Sequence, residues 1–119
     1  MIMTTAKLVR VLNKDLSYNE TDKATFHKEA KSVLRKVAKA MGLEKGEFDL
    51  RSNKGGIAVS GEVTLHSDNA YIQVSQSMGR PTVLYRSCNG RKDYSGGQNQ
   101  YVDVSALLDD STISKFKSL

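Results

Sequence analysis

Leu8, Leu12 and Leu16 recur every four residues near the start of the chain, a spacing that predicts a short helix within residues 4–16. Val9 and Val11 also fit a strand, so both readings stand for that segment. Next comes the strongest periodic stretch. Phe26, Ala30, Val33, Leu34, Val37 and Met41 fall within a sector of about 100° when wound at helical pitch, which predicts an amphipathic helix ending near Met41. "SYNE" (Ser17–Glu20) has the form of a capping box at its start, with Asn19 or Thr21 as alternative caps. Gly42 and Gly46 stand ready to end it.

The period then changes from helical to two. "IAVSGEVTLH" places Ile57, Val59, Gly61, Val63 and Leu65 on one face and Ala58, Ser60, Glu62, Thr64 and His66 on the other. "SDN" (Ser67–Asn69) reads as a hairpin turn, and "AYIQVSQ" alternates again with Ala70, Ile72 and Val74 inward. "SMGRP" breaks the pattern, with Pro81 limiting where the next strand begins. "TVLYRSC" is a third strand, and Asn89-Gly90 favours a tight turn into a return strand at Arg91–Tyr94. "FDLRSN" adds a possible strand before Gly55-Gly56. "YVDVSALL" carries a last short strand and a helical turn, and Ser111–Leu119 a small terminal helix. The expected architecture is α+β: one long amphipathic helix packed on an antiparallel meander of about four strands, with short terminal helices. At 119 residues it is a single domain, 1–119, with one core.

Composition narrows the class. With 39% hydrophobic and 26% charged residues the chain reads as globular, and it has no long apolar run to span a membrane. No uninterrupted apolar block follows the first basic residue, so no secretory signal is expected and the expected location is cytoplasmic. A lone cysteine, Cys88, excludes an internal disulfide and a multi-cysteine zinc site. Charge adds more. Residues 1–60 hold twelve Lys/Arg against seven Asp/Glu, whereas residues 61–119 hold six of each, so the whole surplus of +5 lies in the first half. Positive potential concentrated in one region suits a polyanionic partner.

Three places carry candidate chemistry. Lys28, Lys31, Arg35 and Lys39 form a basic ridge on the long helix, roughly opposite its apolar stripe. A solvated, lysine-rich face is the alternative reading. "RSNKGG" supplies Arg51, Asn53 and Lys54 as phosphate donors beside two glycines that let backbone amides approach. It lacks the spacing of a P-loop, and a simple hairpin turn explains it equally. "GRKDYSGGQNQY" sets Arg91, Lys92 and Tyr94 among glycines, followed by Gln98 and Asn99 and preceded by Arg86. Cations would hold phosphates, the amides would read base edges, and Tyr94, with Tyr85 and Tyr101, would stack bases.

Catalysis is not expected. Glu62, His66 and Asp68 share a strand end that reads as solvated and lacks a nucleophile, and His27 reads as packed beside the apolar helix face. Cys88 reads as a small buried hydrophobe. Neither a metal nor a cofactor is implied.

The strings "RSNKGGIAVSGEVTLHSDNAYIQVSQ" and "LYRSCNGRKDYSGGQNQY" resemble small accessory proteins of bacteriophages and prophages. That resemblance implies no catalytic residues. It implies a class that includes nucleic-acid binders and inhibitors of host defences, acting in the host cell cytoplasm. The expected function is therefore a non-enzymatic basic module that binds nucleic acid or a nucleotide-like, phosphate-bearing ligand. The alternative is a protein-interaction module, such as a phage-encoded inhibitor, whose partner is a host protein. Arg and Tyr favour interfaces of both kinds.

Overall fold

A computed structural model describes residues 5–14, 16, 20–53, 61–77, 80–90 and 96–119. Within them the chain runs α1 (Ala6–Leu12), α2 (Glu20–Ala40), β1 (Phe48–Asn53), β2 (Glu62–Ser67), β3 (Ala70–Ser77), β4 (Arg80–Ser87), β5 (Gln100–Val102), a short 3-10 turn (Val104–Ala106) and α3 (Asp110–Lys117). The strands form one sheet in sequence order, and every neighbouring pair is antiparallel. The class is α+β, with a five-stranded meander rather than about four strands. The edges are β1, the strand read in "FDLRSN", and β5, the last short strand, only three residues long; the expected return strand at Arg91–Tyr94 lies outside the described residues.

The long helix follows its sequence stripe. Phe26, Ala30, Leu34 and Val37 are fully buried, and the helix lies over β1 and β2. Its end is a Schellman motif: Leu43 N–H donates to the Ala38 carbonyl at 2.9 Å and Gly42 N–H to the Lys39 carbonyl at 3.0 Å. Gly42 takes φ +82°, a left-handed conformation open to glycine, and Leu43 tucks against the core. Of the capping box, only Glu20 falls in the described residues, and Lys54, Ile57, Val59, Arg91, Lys92 and Tyr94 lie outside them.

Register divides the sheet into two faces. Val63, Leu65, Ile72, Val74, Val83 and Tyr85 point to the helices and build the core with Leu8, Leu12, Leu16, Leu107, Ile113 and Phe116. The first segment is helical over Ala6–Leu12, because Leu8 and Leu12 must meet α2 and the sheet from one side. A buried Gln76 ties α1 down. Its Nε2 donates to the carbonyls of Leu12, at 2.8 Å, and Lys14, while its Oε1 accepts from Leu16 N–H at 3.0 Å. One inward-facing amide thus satisfies backbone groups that the end of α1 leaves open.

β4 begins at Arg80, ahead of the expected start. Pro81 is tolerated there because β5 pairs only with Val83–Tyr85, so no described strand on that side asks Pro81 for a donor.

Candidate functional site

The sheet face away from the helices carries a connected polar network. Asp49, His66, Tyr71 and Arg86 come side by side from four adjacent strands. Arg51 bonds Asp49 at 3.4 Å, and its guanidinium donates to His66 Nδ1 at 3.2 Å. His66 Nε2 donates to the Gly90 carbonyl at 2.8 Å. Because a guanidinium only donates and a carbonyl only accepts, the ring is fixed as the neutral Nε2–H tautomer. His66 meets Tyr71 edge to face at 5.3 Å, and the Arg86 guanidinium lies 4.8 Å from the Tyr71 ring centre. Arg86 also donates to Asn99 at 3.1 Å, and Asn53 to Glu62 at 3.2 Å.

His66 is therefore not the solvated strand end expected from sequence. It is 0% exposed, and burial, aided by the positive charges of Arg51 and Arg86, holds its pKa below the usual 6.5 against the opposing pull of Gly90 and Asp49. Both ring nitrogens serve structure, and Glu62 is bonded to Asn53 rather than to the histidine. His27 is buried as expected, with Nδ1 hydrogen-bonded to Ser52 Oγ at 2.6 Å. Cys88 is buried too, its thiol directed at the Ser67 carbonyl at 3.4 Å. Among the described residues no three His, Cys, Asp or Glu side chains gather as a metal site requires. No described helix is long and apolar enough to cross a membrane.

The glycine loop after β4 has an unexpected role for Gly96. It forms a bridge with Cys88, and a Cβ on it would sit 2.1 Å from the Ser87 carbonyl oxygen. Close backbone approach, not a turn, demands glycine there. Gly97 N–H then donates to the Ser87 carbonyl at 3.2 Å and to its hydroxyl at 3.1 Å. Of the sequence candidates, Arg51, Asn53, Arg86 and Asn99 lie on the outer sheet face with partners already described, and Gln98 is exposed beside them. Tyr85 cannot stack a base. It is 3% exposed, faces the core and packs edge to face on Phe116 at 5.1 Å. Tyr101 is 64% exposed.

The basic ridge occupies a different setting from the open helix back suggested by the wheel. Because α2 lies over the β1 side of the sheet, one flank of the helix overlooks that edge strand. The result is two adjoining clefts. One, of about 330 Å³, sets Lys28, Lys31 and Arg35 above His27 and Ser52. The other, of about 400 Å³, sets Arg35, Lys39 and Lys45 around Leu43, Phe48 and Leu50. Arg35 lines both, so the two clefts adjoin as a groove along one flank of α2, and no carboxylate among the described residues lines either. None of these five cationic side chains forms a hydrogen bond or ion pair with a described residue. The cleft between α1 and α2 differs, placing Lys7, Arg10 and Lys14 beside Asp22 and Glu29. Sequence reasoning missed Lys45 and the apolar floor, whose only local signal was the alternation of Phe48 and Leu50.

A scan against protein-family models, a search of curated proteins and a search of solved structures each return no match to this chain.

Proposed function

We propose that this protein is a non-enzymatic binder of polyanions, with nucleic acid as the principal ligand, and that the groove between α2 and β1 is where phosphates sit. One observation carries the reading: the side chains of Lys28, Lys31, Arg35, Lys39 and Lys45 share a groove that no described carboxylate lines, and they have no described partner of their own. Crowded like charges repel, and an incoming polyanion relieves that repulsion while releasing its own counterions. The outer-face residues Arg51, Asn53 and Arg86, with Gln98 and Asn99 after the loop, are a second candidate contact surface, and Lys54, Arg91, Lys92 and Tyr94, outside the described residues, are candidates by residue type alone. Arg51 and Arg86 support it less strongly than the groove cations, because their charge is already engaged with Asp49, His66, Tyr71 and Asn99.

A second reading has its own observation. Within the described residues β1 has a strand neighbour on one side only, so its other edge can accept an added strand from a protein partner. The resemblance to phage accessory proteins suits that reading, with a host-defence protein as partner and the cytoplasm as the place of action. The experiment that separates the two is a pull-down from lysate with and without nuclease, joined to titration of a fluorescent single strand at several salt concentrations. Nuclease-sensitive capture and saturable, salt-dependent binding are expected. A stoichiometric protein surviving nuclease, with no oligonucleotide binding at low salt, would overturn the first reading in favour of the second.

A further inference from the structure

The two halves of the α2–β1 groove differ chemically. Along Lys28, Lys31 and Arg35 the walls are polar and cationic, with His27 and Ser52 between them. At the other end the floor is apolar. Leu43, Phe48 and Leu50 are each packed on the rim of the core and each remain partly exposed, under the cations Arg35, Lys39 and Lys45. The lining residues also fix direction: Ser52 lies beside the early part of α2 and Phe48 beside its end, so β1 runs antiparallel to the helix. A ligand lying in the groove therefore meets a row of charges and then a flat ring in an apolar recess of about 400 Å³, within the range of small-molecule pockets.

A duplex has little to offer that recess. Its bases are stacked inside, and pressing phosphates or sugars onto Phe48, Leu50 and Leu43 would desolvate polar groups without partners. An unpaired base has what the recess needs, an apolar face for the Phe48 ring and a phosphate on each side for the cations above. We infer that the groove selects single-stranded nucleic acid, with Leu43, Phe48 and Leu50 forming a pocket for one unpaired base and Arg35, Lys39 and Lys45 holding its flanking phosphates. This rests on the polyanion reading and goes beyond it by naming the strand state. The exposed Tyr101 is the rival platform, but it sits on β5, four strand spacings or about 19 Å from the β1 edge, away from the groove cations.

The test uses three probes at equal salt: a fluorescent oligothymidine of about twelve nucleotides, within the usual site sizes of single-strand binders, a blunt duplex of the same length, and inorganic polyphosphate. The single strand is expected to bind tightest. Phe48→Leu keeps the apolar volume and removes the ring, and should weaken the single strand by roughly 5- to 150-fold, the range of one base–aromatic stack, without moving the duplex or polyphosphate. The chain has no tryptophan, so Phe48→Trp supplies a unique reporter. Its fluorescence should be quenched by oligothymidine and not by polyphosphate, and the measurement holds even if Phe48→Leu loses stability. Equal affinity for all three probes with no response to Phe48→Leu overturns the base pocket and leaves the polyanion reading standing. Loss of single-strand binding from Tyr101→Ala instead overturns its location. Competition by poly-glutamate with an inert Phe48 assigns the groove to an acidic protein segment and overturns it as well. Failure of every probe to bind sinks both readings.

Discussion

Replacing Lys31 and Arg35 together with glutamine tests the groove at its centre. Arg35 lines both clefts and Lys31 stands over Ser52, so the pair removes charge where the two halves join. Glutamine keeps much of the side-chain length and a good helix propensity, and neither residue has a described partner to lose. Fold stability should therefore change by less than about 0.5 kcal/mol, as for surface substitutions generally. Binding should change in a specific way. Each phosphate contact contributes about 0.7 to the dependence of log K on log salt for a single strand, so five groove cations give a slope of at most about −3.5 and the double variant about −2.1. Between 50 and 200 mM salt the wild type should lose about 130-fold in affinity and the variant only about 20-fold, by that same counterion-release slope. The assay is fluorescence anisotropy of a labelled oligothymidine across salt. The control is Lys7→Gln with Lys14→Gln, which also removes two charges but from the cleft that contains Asp22 and Glu29. If both double variants show the same slope, general charge rather than the groove governs binding and the reasoning fails.

Other consequences concern the fold. Gln76→Ala strands the buried Leu12 carbonyl and Leu16 N–H, and should cost at least about 2 kcal/mol in urea unfolding. A change below about 0.5 kcal/mol, the level of an ordinary surface substitution, would show the clamp is idle. Gly96→Ala drives a Cβ into the Ser87 carbonyl and should cost about 1–3 kcal/mol by the same measurement, whereas a neutral result would mean the loop moves aside freely. His66 is held neutral with a lowered pKa, so its contribution is complete above 6.5 and is lost as pH falls from there through the lowered value. Stability should decline on acidification across that window, and His66→Asn should flatten the decline; parallel curves for the two proteins would exclude His66 as the cause. Val37→Asp places a charge on a fully buried position and should cost about 3 kcal/mol or more, as an uncompensated buried charge does. Equal melting temperatures for Val37→Asp and the exposed Arg35→Ala would mean that the faces of α2 are assigned wrongly.

How far the sequence reaches is clearest at neighbouring residues. The stripe of α2 was legible because six apolar positions keep helical phase over four turns, and Gly42 marked its end because glycine, unlike other residues, takes the left-handed conformation cheaply. Val63, Leu65, Ile72 and Val74 were legible by alternation alone. Yet Tyr85 and Arg86 were read together as a ring beside a cation, although adjacent strand residues point to opposite faces. The phase that puts Arg86 over Tyr71 sends Tyr85 into the core. His66 failed for another reason. Alternation reports which face a residue takes but not whether that face is covered, and the Arg51 side chain and the Gly90 carbonyl close on the ring from distant parts of the chain. β5 was hard to delimit because three residues are too short for a period to register. The groove lay beyond reach because its floor and its cations meet only when β1 folds back along α2.

The fate of each cation then orders the candidate surfaces. On the outer face Arg51 is shared between a carboxylate and a histidine, and Arg86 between an aromatic ring and an amide. Moving either guanidinium to a ligand would uncover groups that now depend on it, and the uncovered His66 and Tyr71 are both buried. A ligand there must first repay what it displaces. In the α2–β1 groove no such debt exists, since Lys28, Lys31, Arg35, Lys39 and Lys45 hold no described residue in place. Charge held in a fold without internal use raises the energy of the free protein and lowers it on meeting an anion, which is the condition for binding rather than for stability. The excess of basic residues in the first sixty positions is concentrated at that groove by the packing of one helix along one edge strand.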